Sequence, residues 1–237
     1  MIGSGTVLDT ARLKERLGEH LEVDSRSVHA FIVGEHGDSE IAAWSSANVS
    51  GIPLHDFCEM RGHHDHEGAT SEIAEKVKNS AYEIIQRKGA TYYGIAMSVK
   101  RICEAIIRDE CSILPISTMM DGEYGIKDVV LSMPSIVGAE GFISKVPISL
   151  SEDEIKALHK SAETLKSVLE EALDKIVVKS HTAYVANGDR AHPRFFYSKS
   201  FSFFIVNFYK SFHLAYDQVL WTVHFGLHLR ILQVLSV

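Results

Sequence analysis

Apolar residues recur with helical spacing in three long stretches of the chain. A leucine stripe at i, i+4 and i+8 predicts a helix from Asp9 to Leu21. A second helical pattern runs from Ser71 to Ile107 and is interrupted near Gly89, which predicts a long helix with a break. A third helix is expected from Ser151, whose Ser-Glu-Asp-Glu sequence has the form of a capping box, to about Ile176.

Strand-like stretches lie between these helices. Branched and aromatic residues predict a strand over Ser27–Val33. Cys111–Met120 and Lys127–Val137 are predicted to pair as a hairpin, and Phe142–Ile148 to add another strand. The pattern over Glu40–Val49 is compatible with strand or helix. We therefore expect an α+β fold in which long helices pack on an antiparallel sheet.

Charge and composition change along the chain of 237 residues, whose net charge is −7. Residues 1–180 hold 19 Lys and Arg against 29 Asp and Glu, whereas residues 181–237 hold 5 against 2. The acidic body has no basic stripe, which argues against nucleic acid as a partner. Three widely spaced cysteines and the lack of a signal-peptide pattern indicate reduced thiols and a cytoplasmic protein.

The end of the chain differs from the rest. Of 21 aromatic residues, 13 follow residue 180. We divide the chain into a domain over 1–178 and an unrelated, aromatic-rich tail over 179–237 that we expect to be poorly ordered. The weaker alternatives for this tail are a membrane-spanning helix and an interfacial or partner-binding segment. Its apolar stretch is too short to span a membrane, and residues 219–237 contain charged and histidine residues.

The candidate chemistry centres on His36, which lies between two glycines just after an apolar run. Asp9 and Arg12 are three residues apart and share a face of the first predicted helix. A carboxylate that orients an imidazole makes a general acid and base near neutral pH, and a guanidinium binds a substrate carboxylate. The residues alone equally allow Asp9 to cap the helix and Arg12 to form a surface ion pair. Hydrolase chemistry is disfavoured because no serine lies in a G-x-S-x-G turn.

A histidine-rich loop at 61–68 invites comparison with a metal site. Its adjacent His63 and His64 fit no standard zinc spacing, so we interpret it as a solvated loop. The sequence predicts no metal site.

Three motifs together resemble the signatures of bacterial L-lactate dehydrogenases. They are Gly-Ser-Gly-Thr-Val-Leu-Asp-Thr-Ala-Arg at 3–12, Gly-Glu-His-Gly-Asp-Ser at 34–39 and Lys-Gly-Ala-Thr-Tyr-Tyr-Gly-Ile-Ala at 88–96. The resemblance covers about residues 1–175 and implies the substrate domain of an NAD-dependent enzyme that interconverts L-lactate and pyruvate. Malate dehydrogenase of the same superfamily and a non-catalytic assembly module are the alternatives.

The resemblance also implies a role for each matched residue. His36 would give the proton to the pyruvate carbonyl, Asp9 would orient and charge it, and Arg12 would bind the substrate carboxylate. Thr91 would line the substrate pocket, and Ser4 would contact the nicotinamide end of NAD.

Bacterial relatives are often activated by fructose 1,6-bisphosphate. The resemblance aligns His29 with the histidine of that site and Lys14 with its arginine, although a structural histidine explains His29 as well. Lysine keeps the charge and loses the bidentate fork.

Neither the Gly-rich dinucleotide motif nor a mobile arginine loop is recognisable, and the start of the chain resembles a truncation point. We therefore expect the isolated chain to be inactive, and either to form a homo-oligomer or to pair with full-length subunits.

Overall fold

The computed structural model describes residues 2–187 of the chain. Its regular elements are five helices and eight strands within this range. The helices are α1 (Val7–Leu21), α2 (Leu54–Met60), α3 (His66–Lys88), α4 (Tyr93–Ile107) and α5 (Glu152–Asn187). The strands are β1 (Val28–His29), β2 (Ile32–Gly34), β3 (Glu40–Ala42), β4 (Asn48–Val49), β5 (Ile52–Pro53), β6 (Ser112–Asp121), β7 (Lys127–Gly138) and β8 (Gly141–Lys145).

Two antiparallel sheets are built from these strands. The larger has the order β3-β2-β7-β6, with β8 also paired to β7, and the long β6–β7 hairpin forms most of it. The smaller has the order β1-β4-β5. The predicted α+β fold and the predicted hairpin are confirmed. The single strand predicted over 27–33 is wrong, because β1 and β2 join different sheets. The open stretch 40–49 contains β3, a short 3-10 turn and β4.

Within the described residues, the core consists of three apolar clusters arranged around the helices. In the first, Leu13 and Leu17 of α1 pack with Val77 of α3. In the second, Leu158 of α5 packs against strand residues that include Leu131 of β7. The third joins α4 to β6 and β7. The leucine stripe read from the sequence is therefore the buried face of α1.

The helix boundaries follow local backbone chemistry. Gly89 ends α3 with φ +78°, which explains the predicted break. At the start of α5, the Glu154 backbone N–H donates to Ser151 Oγ at 3.2 Å and the Ser151 N–H donates to Glu154 Oε2 at 2.7 Å, as a capping box requires. α3 begins at His66, five residues before the predicted start, because the Asp65 side chain accepts the Gly68 N–H and caps it.

The chain divides into two compact units, Met1–Val168 and Leu169–Val237. The described part of the second unit is the end of α5, which continues past the expected boundary at 178. The rest of the aromatic tail lies outside the described residues, so the expectation about its order stays a prediction. None of the described helices is both long and apolar enough to cross a membrane.

Candidate active site

Two threonines one helical turn apart attach β2 to α1. Thr6 Oγ1 donates to the carbonyl of Ile32 at 2.6 Å, and the N–H of Ile32 donates to Thr10 Oγ1 at 2.9 Å. Both threonines are buried. Because both backbone groups of Ile32 are bound to the helix that carries Asp9, the strand leading to His36 has a fixed position relative to Asp9.

His36 lies in a tight hairpin loop, Glu35–Ser39, between β2 and β3. Gly34 and Glu40 pair across the base of this hairpin, so Glu40 lies beside the histidine loop. Gly34 has φ +91°, and a Cβ there would lie 2.9 Å from Ser161 Oγ. Only glycine satisfies both the turn and this close approach to α5 without strain.

Side chains from two other helices fasten the same loop. The backbone N–H of Glu35 donates to Ser161 Oγ of α5 at 2.8 Å. Tyr82 Oη of α3 donates to Asp38 Oδ1 at 2.9 Å, and Lys78 Nζ donates to the Asp38 carbonyl. The histidine loop is thus held by α1, α3 and α5 together.

Asp9, Arg12 and His36 meet as the sequence predicted. His36 Nδ1 lies 2.7 Å from Asp9 Oδ2, and Arg12 Nη1 donates to Asp9 Oδ1 at 3.0 Å. The Asp9 side chain is only 4% exposed, whereas that of His36 is 43% exposed. The imidazole is therefore held by a buried carboxylate while part of its ring remains accessible to a ligand.

This arrangement decides between the readings that the sequence left open. Thr6 is the N-cap residue of α1 and makes no side-chain cap bond, and Asp9 lies inside the first turn. The helix-capping interpretation of Asp9 is wrong, since its carboxylate contacts Arg12 and His36 instead. Arg12 is only 16% exposed in its side chain, so the surface ion pair is wrong as well.

Electrostatics favour a protonated imidazole. The Asp9 carboxylate, through its close polar contact, raises the pKa of His36, while burial and the Arg12 charge oppose this effect. Glu40 also favours the charged ring. A histidine whose cationic form is supported in this way is suited to donate a proton near neutral pH.

Glu40 is a residue of this site that sequence reasoning missed. Its carboxyl group lies close to both Asp9 and His36, and burial together with the Asp9 charge raises its pKa to about 8. The signal was available in the turn, because a tight hairpin after Gly34 returns residue 40 to the base of the loop. Glu40 also lines a cleft of about 400 Å³ between β2–β3 and α3.

Ser4 and Thr91 form no hydrogen bond with these side chains in the described structure. Ser4 lies half-buried just before α1, where its carbonyl accepts the Val7 N–H at 3.2 Å. Thr91 is half-buried in the connection between α3 and α4. Their contacts with cofactor and substrate stay predictions.

Lys14 and His29, predicted to bind fructose 1,6-bisphosphate, lie on α1 and β1. Lys14 is half-buried, and burial lowers the pKa of its ammonium group; His29 is exposed. The two side chains form no hydrogen bond or ion pair with each other in the described part of the chain. Their role as an allosteric site stays a prediction.

The histidine-rich loop contacts His20, which the sequence did not indicate. The ring of His20, at the end of α1, packs on that of His63 with centroids 4.7 Å apart. Burial, with the nearby His63, lowers the pKa of His20. Within residues 2–173, for which side chains are described, the group whose ligand atoms lie close enough together for a metal ion is a different one: Asp9, His36 and Glu40.

Comparison with known proteins agrees with this geometry. Residues 6–176 match the family model for the lactate/malate dehydrogenase α/β C-terminal domain. The chain belongs to this family. The lactate dehydrogenase resemblance read from the three motifs is confirmed at the level of family and fold.

Relatives of known name cover the same region. The chain is 51% identical over 169 residues to L-lactate dehydrogenase of Acetivibrio thermocellus, and 49% identical over 176 residues to L-lactate dehydrogenase 1 of Clostridium acetobutylicum. These matches cover 71% and 74% of this chain, and 53% and 55% of the relatives. The chain therefore spans about half the length of the curated relatives it matches.

Solved structures show the same domain. The ligand-bound minor L-lactate dehydrogenase of Enterococcus mundtii is 46% identical, with a TM-score of 0.68 over 72% of this chain and 54% of its own. A lactate dehydrogenase from a deep-sea metagenome library is 44% identical, with a TM-score of 0.69 over 71% and 54%.

Proposed function

We propose that this chain is the substrate domain of an NAD-dependent L-lactate dehydrogenase, which interconverts L-lactate and pyruvate. The observation that carries the proposal is the contact of His36 with a buried Asp9 that also binds Arg12. The relatives named as L-lactate dehydrogenases favour lactate over malate as the substrate.

The proposed reaction assigns one task to each of these side chains. Arg12 binds the carboxylate of pyruvate, because its planar guanidinium offers parallel donors to such a group. Protonated His36 donates a proton to the oxygen of the keto group as it becomes a hydroxyl, and takes it back in the reverse direction. Asp9 keeps the imidazole oriented and favours its charged form.

The described residues do not form the main binding site for NAD. Both sheets in residues 2–187 are antiparallel, whereas a dinucleotide fold needs parallel strands joined by a Gly-rich turn to a helix. In the complete enzyme NAD supplies the hydride. The residues described here contribute substrate binding and proton transfer.

The family also suggests where the protein is located, which effector it binds and how it assembles. We place the protein in the cytoplasm, with fructose 1,6-bisphosphate binding at Lys14 and His29 and assembly either into homo-oligomers or with full-length subunits. The described residues alone are expected to show no turnover, because they supply substrate binding and proton transfer without the main binding site for NAD.

A chimera tests the assignment. Residues 1–176 replace the homologous half of the Acetivibrio thermocellus enzyme, and oxidation of NADH is followed with pyruvate. Turnover is expected, with a loss in kcat of at least about 100-fold in His36→Asn, which lacks the proton donor. Arg12→Lys should mainly raise the KM for pyruvate.

His64→Asn, at an exposed loop position away from the Asp9 group, is the matched control and should keep full activity. A chimera that folds and binds NADH but is unaffected by His36→Asn would refute the catalytic role. Faster turnover of oxaloacetate than of pyruvate would replace lactate by malate as the substrate.

A further inference from the structure

A closed ring of hydrogen bonds joins the two ends of the histidine loop to each other and to α5. The Glu35 N–H donates to Ser161 Oγ at 2.8 Å, and Ser161 Oγ lies 3.1 Å from Ser39 Oγ. Ser39 Oγ in turn donates to Glu35 Oε2. The ring therefore begins and ends at Glu35, the residue that directly precedes His36.

The direction of each hydrogen bond in the ring follows from the groups that form it. A backbone N–H can only donate, so Ser161 Oγ accepts from Glu35. Ser39 Oγ gives its one proton to the Glu35 carboxylate, so it accepts from Ser161 where the two hydroxyl groups meet. Each hydroxyl thus accepts one hydrogen bond and donates another. Removal of either one interrupts the same chain of bonds.

The ring is shielded from water. Glu35 is 4% exposed and Ser161 is fully buried, while Ser39 is half-buried. Solvent does not readily replace a lost partner at buried positions of this kind. We therefore expect the loss of one hydroxyl group to leave its partners unpaired and the loop less firmly held.

His36 lies inside the segment that the ring closes. Glu35 precedes it, and Ser39 follows three residues later. The His36 Nδ1 atom lies 2.7 Å from Oδ2 of Asp9, which belongs to α1 and takes no part in the ring. Because the ring fixes the loop to α5 while the acid belongs to α1, the position of the imidazole relative to its acid depends on this attachment.

We propose that Ser39 and Ser161 are positioning residues, whose hydroxyl groups hold the His36 imidazole against Asp9 for proton transfer. Neither hydroxyl forms a hydrogen bond with His36 or Asp9 in the described structure, so both act through the backbone and carboxylate of Glu35. The use of this alignment in catalysis rests on the proposed function. The alignment itself is measurable in the chain alone.

The first test is an NMR titration of the histidine rings in the full chain, with the His36 signal identified by its loss in His36→Asn. Ser39→Ala and Ser161→Ala should each lower the pKa of His36, because the contact with Asp9 that raises it becomes looser. The double variant should titrate like the single variant with the lower pKa, since both changes break one ring. Ser39→Thr, which keeps the hydroxyl group, should titrate like the unmodified chain.

Ser167→Ala is the matched control, because Ser167 is an exposed serine of α5 outside the ring. It should leave the pKa of His36 unchanged. The proposal is overturned if Ser39→Ala and Ser161→Ala behave like this control, or if their effects simply add in the double variant. Circular dichroism confirms the fold of each variant. Ser39→Ala, at a half-buried position, decides the matter if Ser161→Ala does not fold.

The chimera then tests what the alignment contributes to the reaction. Ser39→Ala and Ser161→Ala should each lower kcat by about 10-fold and keep the KM for pyruvate within about twofold, because Arg12 lies on α1 outside the ring. Ser39→Thr should restore kcat. A raised KM with unchanged kcat would contradict a positioning role. The expected NMR changes together with an inactive chimera would support the positioning of His36 and refute the proposed function instead.

Discussion

The attachment of β2 to α1 is the contact on which the position of His36 most directly depends. Replacing Thr10 by Val keeps the branched shape and removes the hydroxyl oxygen that accepts the Ile32 N–H at 2.9 Å. Thr10 is 6% exposed, so water does not replace the lost acceptor. No cavity forms, because a methyl group takes the place of the hydroxyl.

The expected cost of Thr10→Val is that of one buried, unpaired N–H, about 1–3 kcal/mol of the free energy of unfolding. In a protein of this size it corresponds to a decrease in Tm of about 2–12 °C. Urea denaturation followed by circular dichroism measures the change, with the slope m expected to stay constant.

Thr164→Val is the matched control on α5. Thr164 is exposed, and its hydroxyl donates to the Lys160 carbonyl of its own helix at 3.0 Å. Its replacement should change stability by less than about 0.5 kcal/mol. If Thr10→Val were no more destabilising than this control, the idea that α1 holds β2 through its threonines would be refuted. NMR titration of the His36 ring should also show a lower pKa in Thr10→Val, because the contact with Asp9 loosens.

Two further predictions concern the hairpin. Gly34→Ala places a Cβ at φ +91°, close to Ser161 of α5, whereas Gly51→Ala places one at φ +87° where nothing lies within 4 Å. Gly34→Ala should therefore lower the denaturation midpoint clearly more than the Gly51→Ala control. Equal losses in the two variants would contradict the close packing of Gly34 against α5. Because the pKa of Glu40 is raised from 4.5 to about 8, the folded chain keeps a proton that the unfolded chain releases, so stability should fall as pH rises between these values. Thermal melts should show a flatter pH dependence in Glu40→Gln, and an unchanged profile would refute the burial of this carboxyl group.

The sequence predicts the local elements of this fold well, since they depend on local patterns. The leucine stripe of α1, the break at Gly89 and the capping box at Ser151 each arise from residues a few positions apart. The strand expected over 27–33 is wrong for a non-local reason. A continuous run of branched residues does not reveal that β1 pairs with β4 while β2 pairs with β3 and β7.

The candidate site shows the same division between features set by local sequence patterns and features set by distant contacts. Asp9 and Arg12 follow from helical spacing, and the meeting of Asp9 with His36 was suggested by the chemistry of the residues. Glu40 and Ser161 escape such reasoning, because their importance arises from the hairpin register and from a contact between residues 126 positions apart. Tertiary contacts of this kind leave no periodic signal in the sequence.

The geometry also explains why this imidazole suits the proposed reaction. His36 is accessible on one side and fixed by a buried acid on the other, which is the condition for exchanging a proton with a ligand. Glu40 adds a second acid whose charge is unfavourable unless a proton or a cation accompanies it. A proton on His36 stabilises this group of acids, so the proposed reaction uses the cationic imidazole at a position where both carboxyl groups favour it.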